Sequence, residues 1–193
     1  MTDGKNIDDK KLIGLLKKTG VIMEGHFLLT SGRHSGLFLQ CSQLLQYPEY
    51  TGQVCSMMAE PFKNENIETV IGPAMGGVIL SYEVARFLGA RALFAEPADG
   101  KMILRRGFQI NKGEKVLVVE DAVSTGGSVQ KVLDLLSNLG ADIAGISIMI
   151  DRTSGRLDLG VPTRALLSMD IASFDPDSCP LCSKGIALQK PKG

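Results

Sequence analysis

Short, mostly apolar runs recur along the middle and later parts of the chain, at residues 67–71, 91–95, 116–119, 143–150 and 164–169. Runs of this length without polar alternation are typical of strands that are buried on both faces of a sheet. Segments with helical periodicity lie between some of them, at residues 78–88 and 129–139, and each ends at a glycine. This alternation predicts βαβ units, and therefore an α/β fold whose parallel central sheet is flanked by helices.

The N-terminal part of the chain has a different pattern. Residues 8–19 predict an amphipathic helix, and residues 21–40 predict two short strands around a turn at 31–33. Residues 48–63 predict a further helix, which we expect Pro61 to end early. At ~150 residues per domain, the length of 193 residues predicts one domain.

Charge and composition narrow the classes of function. Lysine plus arginine number 21 and aspartate plus glutamate number 21, so the net basic charge of a typical nucleic-acid binder is absent. The longest apolar stretch, residues 143–150, is far shorter than the ~20 residues of a membrane span, and the first residues have no apolar signal segment. We therefore expect a cytoplasmic protein with no nucleic-acid or membrane partner, whose four cysteines are reduced thiols.

Two of the cysteines, Cys179 and Cys182, form a CxxC pair, which is half of a zinc site. Cys41 and Cys55 lack the spacing of a second pair. Nothing in the sequence places either histidine of the chain near the CxxC pair. We expect no metal here, with zinc and a redox-active pair as the alternatives.

The segment EDAVSTGGS at residues 120–128 carries the strongest chemical signal, because it follows the buried strand at 116–119. Ligands of parallel α/β sheets bind beyond the carboxyl ends of the strands. Small residues at 124–128, just before a helix, expose consecutive backbone N–H groups that suit a phosphate monoester. Glu120 and Asp121 can accept hydrogen bonds from the hydroxyls of an adjoining ribose. The alternative is an ordinary capped βα turn beside two unrelated acids.

This segment resembles the 5-phosphoribosyl 1-pyrophosphate (PRPP) motif of the type I phosphoribosyltransferases. Three more segments resemble the orotate phosphoribosyltransferases among them: SGRHS at 31–35, GPAMGG at 72–77 and IDR at 150–152. The resemblance covers roughly residues 10–170. It implies a single phosphoribosyltransferase domain over residues 1–193, with a small N-terminal hood made from about residues 1–45 together with the C-terminal tail 164–193.

The resemblance implies that N1 of orotate displaces pyrophosphate from C1 of PRPP, which gives orotidine 5′-monophosphate in de novo pyrimidine synthesis. Mg²⁺ is expected to enter bound to PRPP, so no metal site of the protein's own is expected for it. Members of the family are typically homodimers in which a loop of one subunit reaches the neighbour's site.

The resemblance also assigns individual residues. The expected catalytic residues are Asp121, Glu120, Lys101 and Arg105. The expected PRPP-binding residues are Glu120, Asp121, Ala122, Val123, Ser124, Thr125, Gly126, Gly127 and Ser128. Ser124, Arg152 and Phe38 are expected to contact orotate, and Ala74, Met75, Gly76 and Arg106 to contact pyrophosphate. For Arg152 the planar guanidinium suits the 6-carboxylate of orotate. An exposed strand-end arginine and an ordinary core phenylalanine are the alternatives for Arg152 and Phe38.

Residues 96–113, here called the basic segment, lie where the family has a mobile basic loop that closes over the site. The alternative is a solvated hairpin between two strands. Thr30 and Gly76 stand where many relatives carry a lysine, so either the arginines of the basic segment replace that charge or PRPP binds less tightly.

Two further functions compete with orotate phosphoribosyl transfer. One is phosphoribosyl transfer to another base, which Arg152 disfavours because a base without a carboxylate has no need of it. The other is a non-catalytic PRPP-binding regulator.

Overall fold

The computed structural model describes residues 5–29 and 31–191, with the side chains of residues 5–9 left out. The helices are α1 (Lys5–Lys18), α2 (Ser42–Leu45), α3 (Pro48–Ala59), α4 (Gly76–Leu88), α5 (Gly127–Leu139) and α6 (Pro180–Ser183). The strands are β1 (Ile22–Leu28), β2 (His34–Leu39), β3 (Thr69–Pro73), β4 (Arg91–Ala98), β5 (Lys101–Ile103), β6 (Lys115–Val123), β7 (Asp142–Asp151), β8 (Thr163–Ser168) and β9 (Ser173–Phe174).

The chain divides into two compact units, which are described separately. The first unit contains the described residues up to Tyr47 and those from Asp170 onward, and the second unit is Pro48–Met169. Residues 164–168, which the sequence analysis assigned to the tail, belong to β8 in the sheet of the second unit. The C-terminal part of the first unit therefore begins after that strand.

A six-stranded sheet in the order β5-β4-β3-β6-β7-β8 forms the centre of the second unit. Strands β4, β3, β6, β7 and β8 are parallel, and only the short β5 runs antiparallel to its neighbour. The predicted α/β fold with a parallel central sheet is confirmed.

Both faces of the sheet are covered by helices. Val116 and Val118 of β6 share one apolar cluster with Val132 of α5. On the other face, Ser147 of β7 donates a hydrogen bond from Oγ to the carbonyl oxygen of Met58 in α3, at 2.9 Å. Side chains of a strand alternate between faces, so the mostly apolar runs in the sequence reflect burial on both sides.

Helix ends follow the predicted signals. Gly89 and Gly140 end α4 and α5 in the left-handed conformation, with φ of 67° and 72°, which glycine adopts without a steric penalty. The helix α3 ends at Ala59, and a 3₁₀ turn that contains Pro61 follows it. The predicted early stop is therefore confirmed.

The strand β6 is longer than its apolar run predicts. It continues to Val123 because it pairs with β7 through Ala122 and Val123, so the acids at 120 and 121 lie on the strand itself. The helix α5 also begins two residues earlier than predicted, at Gly127. The connection between strand and helix is reduced to residues 124–126.

In the first unit, β1, β2 and β9 form an antiparallel sheet in that order. The predicted strand pair around residues 31–33 is confirmed. The C-terminal segment contains the strand β9 and the short helix α6. Arg33 binds it through an ion pair with Asp175 at 2.6 Å and a hydrogen bond to the carbonyl oxygen of Ser173 at 2.8 Å.

Among the described residues, none of the helices combines the length and the apolar character that crossing a bilayer requires.

Candidate active site

The acid pair, Glu120 and Asp121, lies near the carboxyl end of β6. Glu120 is buried and Asp121 half-buried. The carboxylate of Asp121 accepts a hydrogen bond from the backbone N–H of Ala122 at 2.6 Å. Burial raises the pKa of both carboxyl groups, and the charge of Asp121 raises the pKa of Glu120 further. Two carboxyl groups this close together therefore retain a proton more readily than an isolated acid does, until a cation binds beside them.

The loop that connects β3 to α4 lies directly against Asp121. A Cβ atom placed on Gly76 would be 2.5 Å from Asp121 Oδ2, so there is no room for a side chain unless the carboxylate moves. Glycine at 76 therefore lets the backbone approach the carboxylate. Of the residues expected at pyrophosphate, Gly76 adjoins Asp121. Ala74 and Met75 precede it in the chain, and Met75 is 83% exposed.

The phosphate loop, residues 124–128, bounds a small polar cavity of about 70 Å³ that is lined by Glu120 and residues 122–129. Whole small-molecule ligands need pockets of ~300–1,000 Å³, so this cavity suits a single group such as a phosphate. Gly126 precedes α5 with a φ of 79°, and a Cβ atom on it would meet Leu157 at 3.0 Å. The first N–H groups of α5 lack partners within the helix and point toward the loop.

Arg152 follows β7 at the same edge of the sheet. Its backbone N–H donates to the carbonyl oxygen of Val123 at 2.8 Å, so it lies directly beside the start of the phosphate loop. Its side-chain Nε is buried and has no hydrogen-bond partner among the described residues. A buried guanidinium N–H without an acceptor is costly. The arrangement is suited to an anionic group that enters from outside the chain.

Asp151 organises the turn that carries Arg152, a role the sequence analysis missed. Its carboxylate accepts hydrogen bonds from the N–H and Oγ1 of Thr153 at 2.7 and 2.6 Å, and from the N–H of Gly155 at 2.8 Å. Burial alone would raise the pKa of Asp151, but these hydrogen bonds outweigh it and hold the pKa below its usual value. A buried acid followed by Thr and Gly, an Asx-turn pattern, is the signal that could have revealed it.

The basic segment contains the β4–β5 hairpin, with its turn at Asp99 and Gly100. Lys101 and Arg105 are exposed. Arg106 donates from Nε to Glu96 Oε1 at 2.9 Å, and its guanidinium lies 5.6 Å from the ring centroid of Phe94. None of these three basic residues lines the phosphate cavity.

Two further residues from the sequence expectations remain, Phe38 and Thr30. Phe38 belongs to β2 of the first unit, where it is half-buried and its ring centroid lies 5.7 Å from that of Phe27. Thr30 is outside the described residues.

The structure places both histidines of the chain beside the CxxC pair, which the sequence alone offered no means to predict. His26 and His34 lie beside Cys179 and Cys182, and one ligand atom of each residue falls within 4.8 Å of all the others. Two segments separated by about 150 residues make this cluster, so no local spacing could have revealed it.

Comparison with known proteins adds sequence relatives. A family model described as phosphoribosyl transferase domain matches residues 40–172. The chain is 50% identical over 182 residues to an "Orotate phosphoribosyltransferase" of Desulforamulus reducens, which covers 94% of this chain and 95% of that protein. It is 53% identical over 177 residues to a protein of the same name from Thermotoga maritima, with 92% and 95% covered.

Solved structures share the architecture. The orotate phosphoribosyltransferase of Aeropyrum pernix is 26% identical with a TM-score of 0.71, over 82% of this chain and 93% of that one. The adenine phosphoribosyltransferase of Rhodothermus marinus is 20% identical with a TM-score of 0.65, over 83% of this chain and 99% of that one. At 20% identity the second likeness concerns the fold alone.

Proposed function

Because the chain belongs to the orotate phosphoribosyltransferase family, we propose that its site transfers the 5-phosphoribosyl group of PRPP to orotate. The buried Nε of Arg152, without a partner among the described residues, is the observation that carries the choice of base. The backbone N–H of Arg152 donates to the carbonyl oxygen of Val123, the residue before the phosphate loop. A substrate carboxylate supplies the acceptor that this N–H lacks.

In this reaction the bond from N1 of orotate to C1 of the ribose forms while the bond from C1 to the pyrophosphate oxygen breaks. Positive charge develops on the ribose as pyrophosphate leaves. The protein contributes orientation and electrostatic stabilisation, and no covalent intermediate with a side chain is needed.

The acid pair binds the ribose hydroxyls. The raised pKa values of Glu120 and Asp121 mean that the free site holds protons on these carboxyl groups more readily than an exposed acid does. Ionisation of Asp121 places a negative charge beside the developing cation, where it stabilises the transition state.

The 5′-phosphate occupies the cavity of the phosphate loop, held by the N–H groups and hydroxyls of Ser124, Thr125, Gly126, Gly127 and Ser128, with Ala122 and Val123 lining its base. Ser124 and Arg152 then contact orotate, with the guanidinium bidentate to the 6-carboxylate. Phe38 is assigned to the pyrimidine ring by resemblance.

Pyrophosphate binds at Ala74, Met75 and Gly76, beside Asp121. Lys101 and Arg105 are free to add positive charge because they are exposed. Arg106 contributes after exchanging Glu96 for a pyrophosphate oxygen. This segment acts in the site of its own chain or, as in the family, of a neighbouring chain.

Mg²⁺ enters with PRPP. It takes oxygen ligands and keeps several waters, so one or two carboxylates plus substrate phosphates suffice. The acid pair, with Asp121 beside Gly76, fits this requirement. When bound, the ion neutralises charge on the leaving pyrophosphate.

A homodimer forms through the face of α4. Ile79, Tyr82 and Phe87 on this helix are exposed, and Tyr82 is 65% exposed. An apolar groove of about 350 Å³ adjoins it, lined in part by Phe94 and Phe108. Exposed apolar surface of this kind favours association. Sedimentation of the purified chain tests this, and a monomer at all concentrations contradicts it.

The protein acts in the cytoplasm and takes no nucleic-acid or membrane partner. PRPP carries a phosphate and a pyrophosphate, and such charge prevents passage through a bilayer. An enzyme that consumes PRPP works in the compartment where it is made. Cell fractionation tests this placement.

The test of function is an assay of the purified chain with PRPP, Mg²⁺ and one base at a time. We expect loss of orotate absorbance and release of pyrophosphate, no turnover with uracil or adenine, and no turnover when a chelator replaces Mg²⁺. Turnover with another base supports the alternative hypothesis of phosphoribosyl transfer to that base. PRPP binding without turnover of any base supports the regulator.

A further inference from the structure

Four potential metal ligands converge in the first unit, and none of them is assigned to the transferase reaction. His26 and His34 come from the β1–β2 hairpin, and Cys179 and Cys182 come from the segment around α6. Three of the four are buried, with exposures of 1% for His26, 6% for His34 and 4% for Cys179. Cys182 is exposed, which leaves an entry path from solvent.

The distances within the cluster match tetrahedral coordination. Cys182 Sγ lies 3.4 Å from His34 Nδ1 and 3.7 Å from His26 Nε2, and Cys179 Sγ lies 3.5 Å from His26 Nε2. The two nitrogens are 3.0 Å apart. A tetrahedral zinc with Zn–S of ~2.3 Å and Zn–N of ~2.05 Å separates sulfur from nitrogen by ~3.6 Å and the two nitrogens by ~3.3 Å.

The backbone around His26 orients its ring toward the cluster. The pairing of β1 with β2 shifts by one residue between Glu24 and Phe27, which is a β-bulge. A bulge re-aims a side chain, and here both His26 and Phe27 are buried although they are consecutive in a strand.

The tautomer of His26 is also set. His26 Nδ1 lies 2.7 Å from the carbonyl oxygen of Ile186, so Nδ1 carries the proton and donates it there. The lone pair is then on Nε2, which faces the two sulfurs. Metal-binding histidines use the same outer hydrogen bond to a carbonyl or carboxylate.

The ligand types select the metal. Two thiolates and two imidazoles in a tetrahedron favour zinc, whereas Mg²⁺ requires oxygen ligands. Binding releases the two thiol protons, and Zn²⁺ with two thiolates and two neutral imidazoles has no net charge. A neutral centre is suited to a cluster of which three ligands are buried.

We propose that His26, His34, Cys179 and Cys182 form a structural zinc site that joins the N-terminal hairpin to the C-terminal segment. All four positions are filled by protein ligands, as in closed structural sites. The first unit is small and is built from two distant parts of the chain, a situation in which a metal commonly supplements the core. The backbone already joins these two parts of the chain beside the cluster, because the N–H of Gln189 donates to the carbonyl oxygen of His26 at 2.7 Å.

The experiment measures metal content in the full chain, purified without an affinity tag that binds metal and without chelator. We expect about one zinc ion per chain, measured by inductively coupled plasma mass spectrometry. Cys182→Ser and His34→Gln are each expected to lower this at least about tenfold, because three ligands bind far more weakly. Cys41→Ala, a cysteine of the same unit outside the cluster, is the matched control and keeps its zinc.

A second measurement does not depend on variants that fold. The wild-type chain, stripped by chelator and loaded with Co²⁺, is expected to show thiolate-to-cobalt charge-transfer bands and the intense d–d bands of a tetrahedral ion. The midpoint of thermal unfolding is expected to fall on stripping and to recover with Zn²⁺. Both readouts are independent of transferase activity. A wild-type chain without zinc that binds no Co²⁺, or a disulfide between Cys179 and Cys182, overturns the proposal.

Discussion

Replacing Arg152 with alanine tests the chemistry of base recognition most directly. The side chain Nε is buried without a partner in the described chain, so the free protein carries an unsatisfied N–H that orotate is expected to satisfy. Arg152→Ala removes both the substrate contact and this unfavourable group. Orotate binding should therefore weaken while the free fold keeps its stability.

The magnitudes follow from these two effects. Truncating one partner of a buried, hydrogen-bonded charge pair costs ~2–5 kcal/mol of binding. At ~1.4 kcal/mol per tenfold change, the KM for orotate rises at least ~30-fold. An unsatisfied buried polar group costs ~1–3 kcal/mol, so the unfolding midpoint of the ligand-free variant should be equal to or above that of the wild type.

Steady-state assays that follow orotate absorbance, with PRPP saturating, measure the first effect, and thermal unfolding measures the second. The KM for PRPP should change little, and Arg152→Lys should recover only part of the loss because an ammonium lacks the planar fork. Arg164→Ala is the matched control, since this exposed arginine lies at the opposite end of the neighbouring strand β8. Unchanged orotate saturation in Arg152→Ala refutes the reasoning.

Three further variants probe the acid pair and its surroundings. Gly76→Ala places a Cβ 2.5 Å from Asp121 Oδ2 and so displaces the carboxylate; kcat should fall at least ~10-fold with the fold intact. Gly14→Ala, where a Cβ meets nothing within 4 Å, is the control and should leave kcat unchanged. Equal kcat in the two variants would contradict the role of this contact. Asp121→Asn should lower kcat ~10- to 1000-fold, and unchanged turnover would remove the acid from the mechanism. Because the pKa of Glu120 is raised in the folded chain, this group stabilises the fold while protonated and loses that contribution as pH rises above its unfolded value of 4.5. Glu120→Gln should therefore unfold at a higher temperature than wild type at about pH 8 and at a similar temperature at about pH 5. A variant that unfolds at a lower temperature than wild type at about pH 8 would contradict this prediction.

Features that depend on contiguous residues could be predicted from the sequence. The buried strands, the helices that end at Gly89 and Gly140, and the phosphate loop all follow from local hydrophobic period, glycine placement and small residues before a helix. The edge of the sheet at which Glu120 and Arg152 meet was also predictable, because parallel strands place their carboxyl ends together.

Tertiary structure alone decided the features that depend on distant pairs. Pairing with β7 extends β6 through the acid pair, close approach of two loops explains glycine at 76, and burial without an acceptor marks Arg152 Nε. The same holds for His26 and Cys179, 153 residues apart in the chain and 3.5 Å apart in space. Hydrophobic period and turn residues reflect interactions among near neighbours in the chain. The geometry of a metal site and the burial of a polar atom depend on which distant segments pack together. The sequence therefore shows which potential ligands are present, and only the tertiary structure shows that they lie close together.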